Sequence, residues 1–307
     1  MFYNRDVLSI IDFSIEELRK LFEVSLEMEK YSRSKLNILD GKVLSLAFFE
    51  PSTRTRLSFE TAMKRLGGQV IGFYEPAEAA LAKGENLADT IRMLDNYSDV
   101  IVIRHKLEGA AKLAAEVASV PVVNGGDGSQ HHPTQAMIDL YTVWRELGKL
   151  ENLNVGVVGD LKYGRAATSF IYAISKYKPR RLFLISPQLL KARVEVKDYL
   201  KQAGVPYEEI ENLSEVIGEL NVVYMTRIQK ERFPDISEYE KVKGSYRIDV
   251  SMLSDARDDL IILHPLPKVD EIDLKVDETK HAKYFKQAAY GIPVRMALLV
   301  LVLGAVS

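Results

Sequence analysis

The segment Glu50–Glu60 constrains this chain of 307 residues more than any other, because it joins a strand end, a helix start and two arginines. The apolar run Val43–Phe49 predicts a buried strand, and the pattern after Ser52 predicts a helix with Ser52 as its N-cap. Arg54 and Arg56 then fall in the first turn, where the helix dipole disfavours cations. Helix N-termini bind anions, and guanidinium groups match phosphate oxygens. The segment therefore predicts an anion site; the alternative is a solvated helix start with chance arginines.

Composition excludes several classes of function. The net charge is −2, so nothing in the charge balance points to nucleic-acid binding or membrane association. It contains no cysteine, which excludes a disulfide framework, a thiolate zinc site and a cysteine nucleophile. The start of the chain lacks the pattern of a signal peptide, and the apolar stretch Met296–Val306 is too short to span a bilayer. We therefore expect a cytoplasmic protein without a membrane segment.

Alternating strand and helix patterns predict an α/β fold of two parallel-sheet domains. The strand candidates are Val43–Phe49, Val70–Phe73, Val100–Arg104, Val122–Asn124, Val155–Val158, Leu182–Ile185, Tyr207–Ile210, Val222–Met225 and Ile261–Leu263. The helical candidates are Thr53–Leu66, Leu87–Tyr97, Gly109–Val117, Arg165–Lys176, Lys191–Gln202 and Leu213–Leu220. A glycine-rich loop signal near residue 125 and a helix beginning at Pro133 place the domain boundary near residues 125–133.

Polar motifs follow the predicted strands. They are Ser52–Arg56, Arg104, Gly125–His132, Gly159–Arg165, Thr226–Gln229 and His264–Pro267. Open parallel sheets bind ligands beyond the carboxyl ends of their strands. We therefore expect the motifs to gather at one edge of each doubly wound sheet, around a cleft between the two domains.

Two motifs leave alternatives open when they are read alone. The adjacent His131 and His132 could suggest a metal site, but neighbouring residues rarely converge on one ion and no acidic ligand stands at a suitable spacing. The glycines Gly156 and Gly159 could suggest a dinucleotide site, but the spacing differs from G-x-G-x-x-G. Neither motif therefore makes a metal or a nucleotide the preferred ligand.

Arginines follow two strands of the second half. Arg165 stands at a predicted helix start, and Arg227 follows the strand Val222–Met225. Either arginine alone could belong to a solvated surface. Together they suit a dicarboxylate, because each guanidinium can bind one carboxylate through two hydrogen bonds.

The motifs together resemble those of a known family, the aspartate and ornithine transcarbamoylases. The match begins at Ser52-Thr53-Arg54-Thr55-Arg56 and continues, in family order, through Lys83-Gly84-Glu85, Arg104-His105, His132-Pro133-Thr134-Gln135, Gly159-Asp160-Leu161-Lys162-Tyr163-Gly164-Arg165, Thr226-Arg227-Ile228-Gln229 and His264-Pro265-Leu266-Pro267. The blocks cover nearly the whole chain. The resemblance implies carbamoyl transfer from carbamoyl phosphate to an amino acid, without a metal or another cofactor.

The resemblance also implies roles for single residues. It assigns carbamoyl phosphate to Ser52, Thr53, Arg54, Thr55, Arg104, His132, Gln135, Leu266 and Pro267, with Arg54, Thr55, Arg104 and His132 as the catalytic residues. It assigns the amino acid to Lys83, Arg165, Arg227 and Gln229. It implies a carbamoyl phosphate-binding domain over residues 1–132, completed by a C-terminal helix at about 290–307, and an aspartate-binding domain over residues 133–289.

The proline turn distinguishes two branches of the family. The ornithine branch typically has cysteine at the position of Pro265, so the resemblance favours L-aspartate as the acceptor. Departures from the family pattern are Ala79 for a serine, and Ala166 with Thr168 for threonine and histidine. A transcarbamoylase for another amino acid such as ornithine, a silent scaffold and a nucleotide-binding oxidoreductase are the alternatives.

Two further expectations concern the assembly of the chain and the acidic residue Glu50. The resemblance implies a homotrimer in which Lys83 reaches the active site of a neighbouring subunit, and it leaves regulatory chains open as partners. Glu50 is an acid beside a cationic anion site. We expect it to pair with Arg165 or Arg232 of the second domain when the enzyme closes around its substrates.

Overall fold

The structure is a computed structural model that describes residues 2–74, 84–230, 233 and 235–306. The chain divides into two compact units. The first unit comprises Met1–Met137 with Tyr290–Ser307, and the second comprises Ile138–Ala289. Ala79 and Lys83 lie outside the described residues, as does Arg232.

The first unit contains a parallel sheet of four strands in the order β2-β1-β3-β4. The strands are β1 (Val43–Phe48), β2 (Gln69–Phe73), β3 (Val100–His105) and β4 (Val122–Asp127). The helices are α1 (Ile15–Glu29), α2 (Thr53–Arg65), α3 (Leu87–Asp95) and α4 (Ala110–Val117). Strands β1, β3 and β4 are largely buried, which agrees with the apolar character of β1 and β3.

The second unit contains a parallel sheet of five strands in the order β7-β6-β5-β8-β9. The strands are β5 (Asn154–Val158), β6 (Arg181–Ile185), β7 (Tyr207–Ile210), β8 (Val222–Met225) and β9 (Ile261–Leu263). The helices of this unit are α6 (Arg165–Ser175), α7 (Val194–Gln202) and α8 (Ile236–Val242). Both sheets are parallel with helices between the strands, which confirms the predicted α/β class. The expected cleft stays a prediction.

Two further helices carry the chain between the units. Helix α5 spans Pro133–Leu147 and begins at the predicted proline, and helix α9 spans Tyr284–Val302. Within the described part of the chain, α9 is long and apolar enough to cross a membrane, but 72% of its apolar window is buried inside the protein. That burial is typical of a core helix.

Two predicted elements differ clearly from the structure in kind or in extent. The segment Leu213–Leu220 forms two 3-10 turns, Leu213–Glu215 and Ile217–Glu219, instead of one α-helix. Strand β4 continues through the glycines to Asp127, where a loop was expected after Asn124. The glycines fit this strand because it runs close to β3; a Cβ on Gly125 would approach Ile103 O to 3.2 Å.

Candidate active site

The two sheets reverse their strand order at defined positions. In the first sheet, β1 has β2 on one side and β3 on the other, and in the second sheet β5 has β6 on one side and β8 on the other. Ligands of doubly wound sheets bind at the carboxyl ends of the strands at such positions. In the first unit, the motif after β1 and Arg104 on β3 lie at these carboxyl ends. In the second unit, Arg165 follows β5 and Arg227 follows β8.

Helix α2 begins as the sequence predicts, with Ser52 as its N-cap. The serine does not donate or accept a capping hydrogen bond, whereas Ser14 forms a complete capping box at α1. No acidic residue stands in the first turn of α2. A bound anion would complete such a helix start, because it would accept from the first-turn N–H groups and favour the dipole. Thr53 and Arg54 are exposed and Thr55 is 5% exposed.

Thr55 meets His132 in the first unit. Thr55 Oγ1 lies 3.4 Å from His132 Nε2, and His132 is 5% exposed. His132 immediately precedes α5, and its backbone oxygen accepts from the Gln135 N–H at 3.1 Å. The fold therefore brings together three predicted site residues, Thr55, His132 and Gln135.

Arg104 is held at the end of β3. Its Nη1 donates to Gly125 O at 2.9 Å, and its Nη2 lies 3.5 Å from Glu50 Oε1. The side chain is 12% exposed, so the guanidinium is oriented by both neighbouring strands. Glu50 thus pairs with Arg104 in the first unit. Its expected pairing with Arg165 or Arg232 concerns the liganded enzyme and stays a prediction.

The adjacent histidine has a different contact. His131 Nδ1 lies 3.3 Å from Ser9 Oγ, whereas His132 faces Thr55. The two rings therefore do not act as a pair. Among the residues that the structure describes, no group of three or more His, Asp or Glu side chains is arranged to hold a metal ion.

In the second unit, the loops after β5 and β8 are fastened to each other. The Asp160 N–H donates to Thr226 Oγ1 at 3.2 Å, and Thr226 Oγ1 donates to Val158 O at 3.0 Å. Gly159 has a φ of 113°, and a Cβ there would stand 2.2 Å from Thr226 O. This close approach explains the glycine and places the two motif loops side by side.

The arginines of the second unit follow these loops. Arg165 is the first residue of α6 and is 5% exposed. The N-cap of this helix is Gly164, which has no side chain that could accept from the first-turn N–H groups. Arg227 and Gln229 are half-buried after β8. Two cations at adjacent strand ends favour an anionic ligand with two negative groups.

The proline turn follows β9. Leu266 has a φ of 59° and is joined to Pro267 by a cis peptide bond. Leu266 and Pro267 belong to the second unit, whereas the other residues assigned to carbamoyl phosphate belong to the first unit. The ligand assignments therefore draw on both units, and they stay predictions.

Family models match both halves of the chain. Residues 5–145 match the aspartate/ornithine carbamoyltransferase, carbamoyl-P binding domain, and residues 151–302 match the aspartate/ornithine carbamoyltransferase, Asp/Orn binding domain. The chain belongs to the aspartate/ornithine carbamoyltransferase family. The resemblance seen in the motifs is thereby confirmed over nearly the full sequence.

Individual carbamoyltransferases are similar to this chain over nearly their full length. The aspartate carbamoyltransferase catalytic subunit of Thermofilum pendens is 61% identical over 302 residues, which cover 98% of this chain and 96% of the relative. The catalytic subunit of Hyperthermus butylicus is 58% identical, with 98% and 96% covered. Aspartate transcarbamoylase from Trypanosoma cruzi in complex with carbamoyl aspartate and phosphate superposes with a TM-score of 0.93 at 36% identity, covering 98% of this chain and 97% of that chain. The catalytic subunit of M. Jannaschii aspartate transcarbamoylase gives 0.87 at 48% identity, with 96% of each chain covered.

Several contacts that orient residues of the candidate site were not found from the sequence. Gly125 O and Glu50 orient Arg104, and Glu271 contacts His264 of the proline turn at 2.7 Å. Glu271 and Asp139 are acids that are at most 5% exposed. Acids at otherwise apolar positions of the pattern are the signal that could have identified them.

Proposed function

We propose that this chain catalyses carbamoyl transfer from carbamoyl phosphate to the α-amino group of L-aspartate, giving N-carbamoyl-L-aspartate and phosphate for pyrimidine biosynthesis. The observation that carries the choice of acceptor is the pair Arg165 and Arg227 at adjacent strand ends of the second sheet. Two guanidinium groups match the two carboxylates of aspartate, whereas ornithine has one carboxylate and a side-chain ammonium. The names of the relatives support the same choice.

The phosphate group is assigned to the start of α2. Ser52, Thr53 and Thr55 donate to its oxygens, and Arg54 balances the charge that grows as phosphate departs. The exposed position of Arg54 and the α2 N-terminus without an acid support this assignment. An interaction that strengthens while the leaving group forms accelerates the reaction, because it favours the transition state over the bound substrate.

The carbonyl group is assigned to Thr55, Arg104 and His132. The amine attacks the carbonyl carbon, the bond to the bridging oxygen breaks, and that oxygen leaves with phosphate. Negative charge grows on the carbonyl oxygen in between, and prearranged donors stabilise it. The 3.4 Å contact between Thr55 and His132 supports a shared role at this oxygen. The departing phosphate takes the proton of the amine, so the scheme requires no protein base.

The carbamoyl NH₂ and the bound aspartate are the remaining substrate groups. The NH₂ is assigned to Gln135 and to the carbonyl oxygens of the turn at Leu266 and Pro267. Gln135 and the turn hold the carbamoyl NH₂, because prolines lack N–H groups and such a turn presents acceptors. Arg165, Arg227 and Gln229 hold aspartate, together with Lys83 of a neighbouring subunit. Orientation of the two substrates then supplies much of the rate enhancement.

Assembly and location are part of the proposal. We infer a homotrimer with active sites shared between subunits, in the cytoplasm, with regulatory chains as a further class of partner. The described residues offer no feature that favours a nucleotide-dependent reaction or a silent scaffold, since the motif residues in the described ranges are those of the family pattern apart from Ala166 and Thr168.

The test is an assay of the purified chain with carbamoyl phosphate and L-aspartate, read by colour development of the ureido product. L-ornithine in place of aspartate is the comparison. Product with aspartate at a rate far above that with ornithine is expected. Product with ornithine alone would favour the other branch of the family, and no product from either amine would favour a scaffold.

A further inference from the structure

The proline turn after β9 contains a backbone conformation that needs support. Leu266 has a φ of 59°, in the left-handed region. A residue with a side chain is strained in this region, so the conformation persists where surrounding contacts hold it. The contacts of the turn therefore reveal which residues fix its shape.

His264 holds the turn through its ring. The Leu266 N–H donates to His264 Nδ1 at 2.8 Å, so this nitrogen is the acceptor of the imidazole. The proton of the neutral ring then lies on Nε2, which donates to Glu271 Oε1 at 2.7 Å. The side chains of His264 and Glu271 are 1% and 6% exposed. Glu271 thus selects the tautomer that accepts from Leu266.

Glu271 also holds the far end of the turn. Its Oε2 accepts from the Val269 N–H at 3.2 Å and from the Asp270 N–H at 3.1 Å. Burial by itself raises the pKa of Glu271, but the hydrogen bonds from His264 and from backbone N–H groups outweigh it and hold the pKa below its usual range. Glu271 is therefore a carboxylate at neutral pH and accepts from both ends of the segment.

A second chain of hydrogen bonds fixes the backbone of His264. Its N–H donates to Gln287 Oε1 at 2.9 Å, and Gln287 Nε2 donates to Asp139 Oδ1 at 2.6 Å. Tyr224 O–H donates to Asp139 Oδ2 at 2.8 Å, and both of these side chains are fully buried. These hydrogen bonds connect the base of the turn to Tyr224 on β8, and Tyr224 lies two residues before Thr226. With its base fixed, the conformation of the turn depends on the His264 ring.

We propose that Glu271 is a positioning residue for carbamoyl transfer: by holding the His264 ring it fixes the Leu266 N–H, and with it the direction of the carbonyl oxygens that receive the carbamoyl NH₂. The N–H of Leu266 belongs to the residue whose own carbonyl oxygen is assigned to the substrate, so holding that N–H at a φ of 59° also orients the Leu266 carbonyl. Glu271 does not touch substrate in this scheme. The inference rests on the proposed function.

The experiment compares Glu271→Ala and Glu271→Gln with the wild type, using Glu208→Ala as a control. Glu208 on β7 forms an exposed ion pair with Arg181, at the edge of the sheet opposite to β9 and the turn. We expect Glu271→Ala to weaken carbamoyl phosphate binding about 10-fold, as for one lost hydrogen bond. Glu271→Gln should recover most of the loss, because its amide oxygen still accepts from His264 Nε2. Glu208→Ala should behave as wild type.

Two readouts separate positioning from a general loss of stability. Binding of inorganic phosphate should be unchanged in Glu271→Ala, because the residues assigned to phosphate lie in the other unit. The ¹⁵N spectrum of the His264 ring should show the Nε2–H tautomer in the wild type and a tautomer mixture in Glu271→Ala. A folded Glu271→Ala enzyme with wild-type carbamoyl phosphate affinity and turnover would overturn the proposal. So would a parallel loss of affinity for inorganic phosphate.

If Glu271→Ala does not fold, substitutions of His264 test the same proposal. In His264→Asn the new side-chain oxygen can accept from the Leu266 N–H as in an Asx turn, whereas His264→Ala offers no acceptor. We expect the asparagine variant to bind carbamoyl phosphate more tightly than the alanine variant, and equal losses would contradict the inference. A wild-type enzyme without transferase activity would instead contradict the proposed function, while the ring tautomer would still report whether Glu271 holds His264.

Discussion

Thr55 Oγ1 lies 3.4 Å from His132 Nε2, so two side chains that are 77 residues apart in the sequence meet in the first unit. Thr55 comes from the first turn of α2, and His132 immediately precedes α5. Both side chains are buried, which strengthens their interaction with charge on a bound carbonyl oxygen. The pair thus places a hydroxyl group and an imidazole side by side in the candidate site.

His132→Ala should lower turnover by about 10²–10³, the usual effect of removing one donor to an oxyanion. His131→Ala is the matched control, because the neighbouring ring contacts Ser9 instead of Thr55. Steady-state kinetics of ureido product formation measure both variants. A His131→Ala enzyme that loses as much turnover as His132→Ala would show that the loss comes from the local fold.

Arg227→Ala should raise the half-saturating concentration of aspartate by at least about 10-fold, because a charge-assisted pair with a carboxylate is lost. Carbamoyl phosphate binding should survive, since most of its assigned ligands lie in the first unit. Arg247→Ala, which removes an exposed ion pair with Asp273, serves as the control. Equal losses of affinity for both substrates would contradict the division of the ligands between the units.

The sequence could predict most strands and helix starts, because the signals for these elements are local. Strands β3, β6, β8 and β9 carry continuous apolar runs, and Ser52 marks a helix start by its position. The segment Leu213–Leu220 was wrong as an α-helix because apolar spacing alone does not distinguish it from two 3-10 turns.

Contacts between distant segments could not be predicted in this way. Arg295 on α9 is 4% exposed and donates to Ser58 Oγ at 2.6 Å, and Ser58 in turn donates to the backbone oxygen of Arg54. Glu271 reaches His264 across a turn. Such partners depend on the packing of complete elements, so a single sequence reveals the functional groups but not the residues that hold them.

Lys42 and Asp99 should stabilise the fold in a defined pH window. Burial raises the pKa of Asp99, but hydrogen bonds from Lys42 and the Val43 N–H outweigh it, so its pKa is lowered; the hydrogen bond to Asp99 raises the pKa of Lys42. A lowered acid pKa gives stability that is present above the unfolded value of about 3.9 and is lost as pH falls further. The raised lysine pKa gives stability that is present below about 10.4 and is lost above it.

Asp99→Asn should therefore lower the unfolding free energy by about 0.5–1 kcal/mol between about pH 5 and pH 9, an amount limited by the partial exposure of the pair. The difference from wild type should shrink below about pH 4. Urea unfolding across pH provides the measurement, with Glu27→Gln in the exposed pair with Lys30 as the control that should change little. A difference that grows toward acid pH would contradict the expected sign of the linkage.

Shared active sites predict complementation between two inactive chains. Lys83→Ala and Arg54→Ala should each lower turnover by orders of magnitude in a homotrimer. Hybrid trimers of the two should regain some activity, because some of their sites combine an intact Arg54 with an intact Lys83 from the neighbour. Arg54→Ala chains that are dissociated and reassembled alone provide the control. Verified mixed trimers without restored activity would contradict sharing.

Carbamoyl transfer to aspartate is tested most directly by isotope labels in both substrates. Carbamoyl phosphate with a ¹³C carbonyl and ¹⁸O in the bridging position is incubated with ¹⁵N-labelled L-aspartate, and a parallel reaction contains labelled L-ornithine. The account predicts a product with ¹³C–¹⁵N coupling from aspartate, and phosphate that retains the ¹⁸O. Coupled product from ornithine alone, or phosphate release without a new carbon–nitrogen bond, would contradict it.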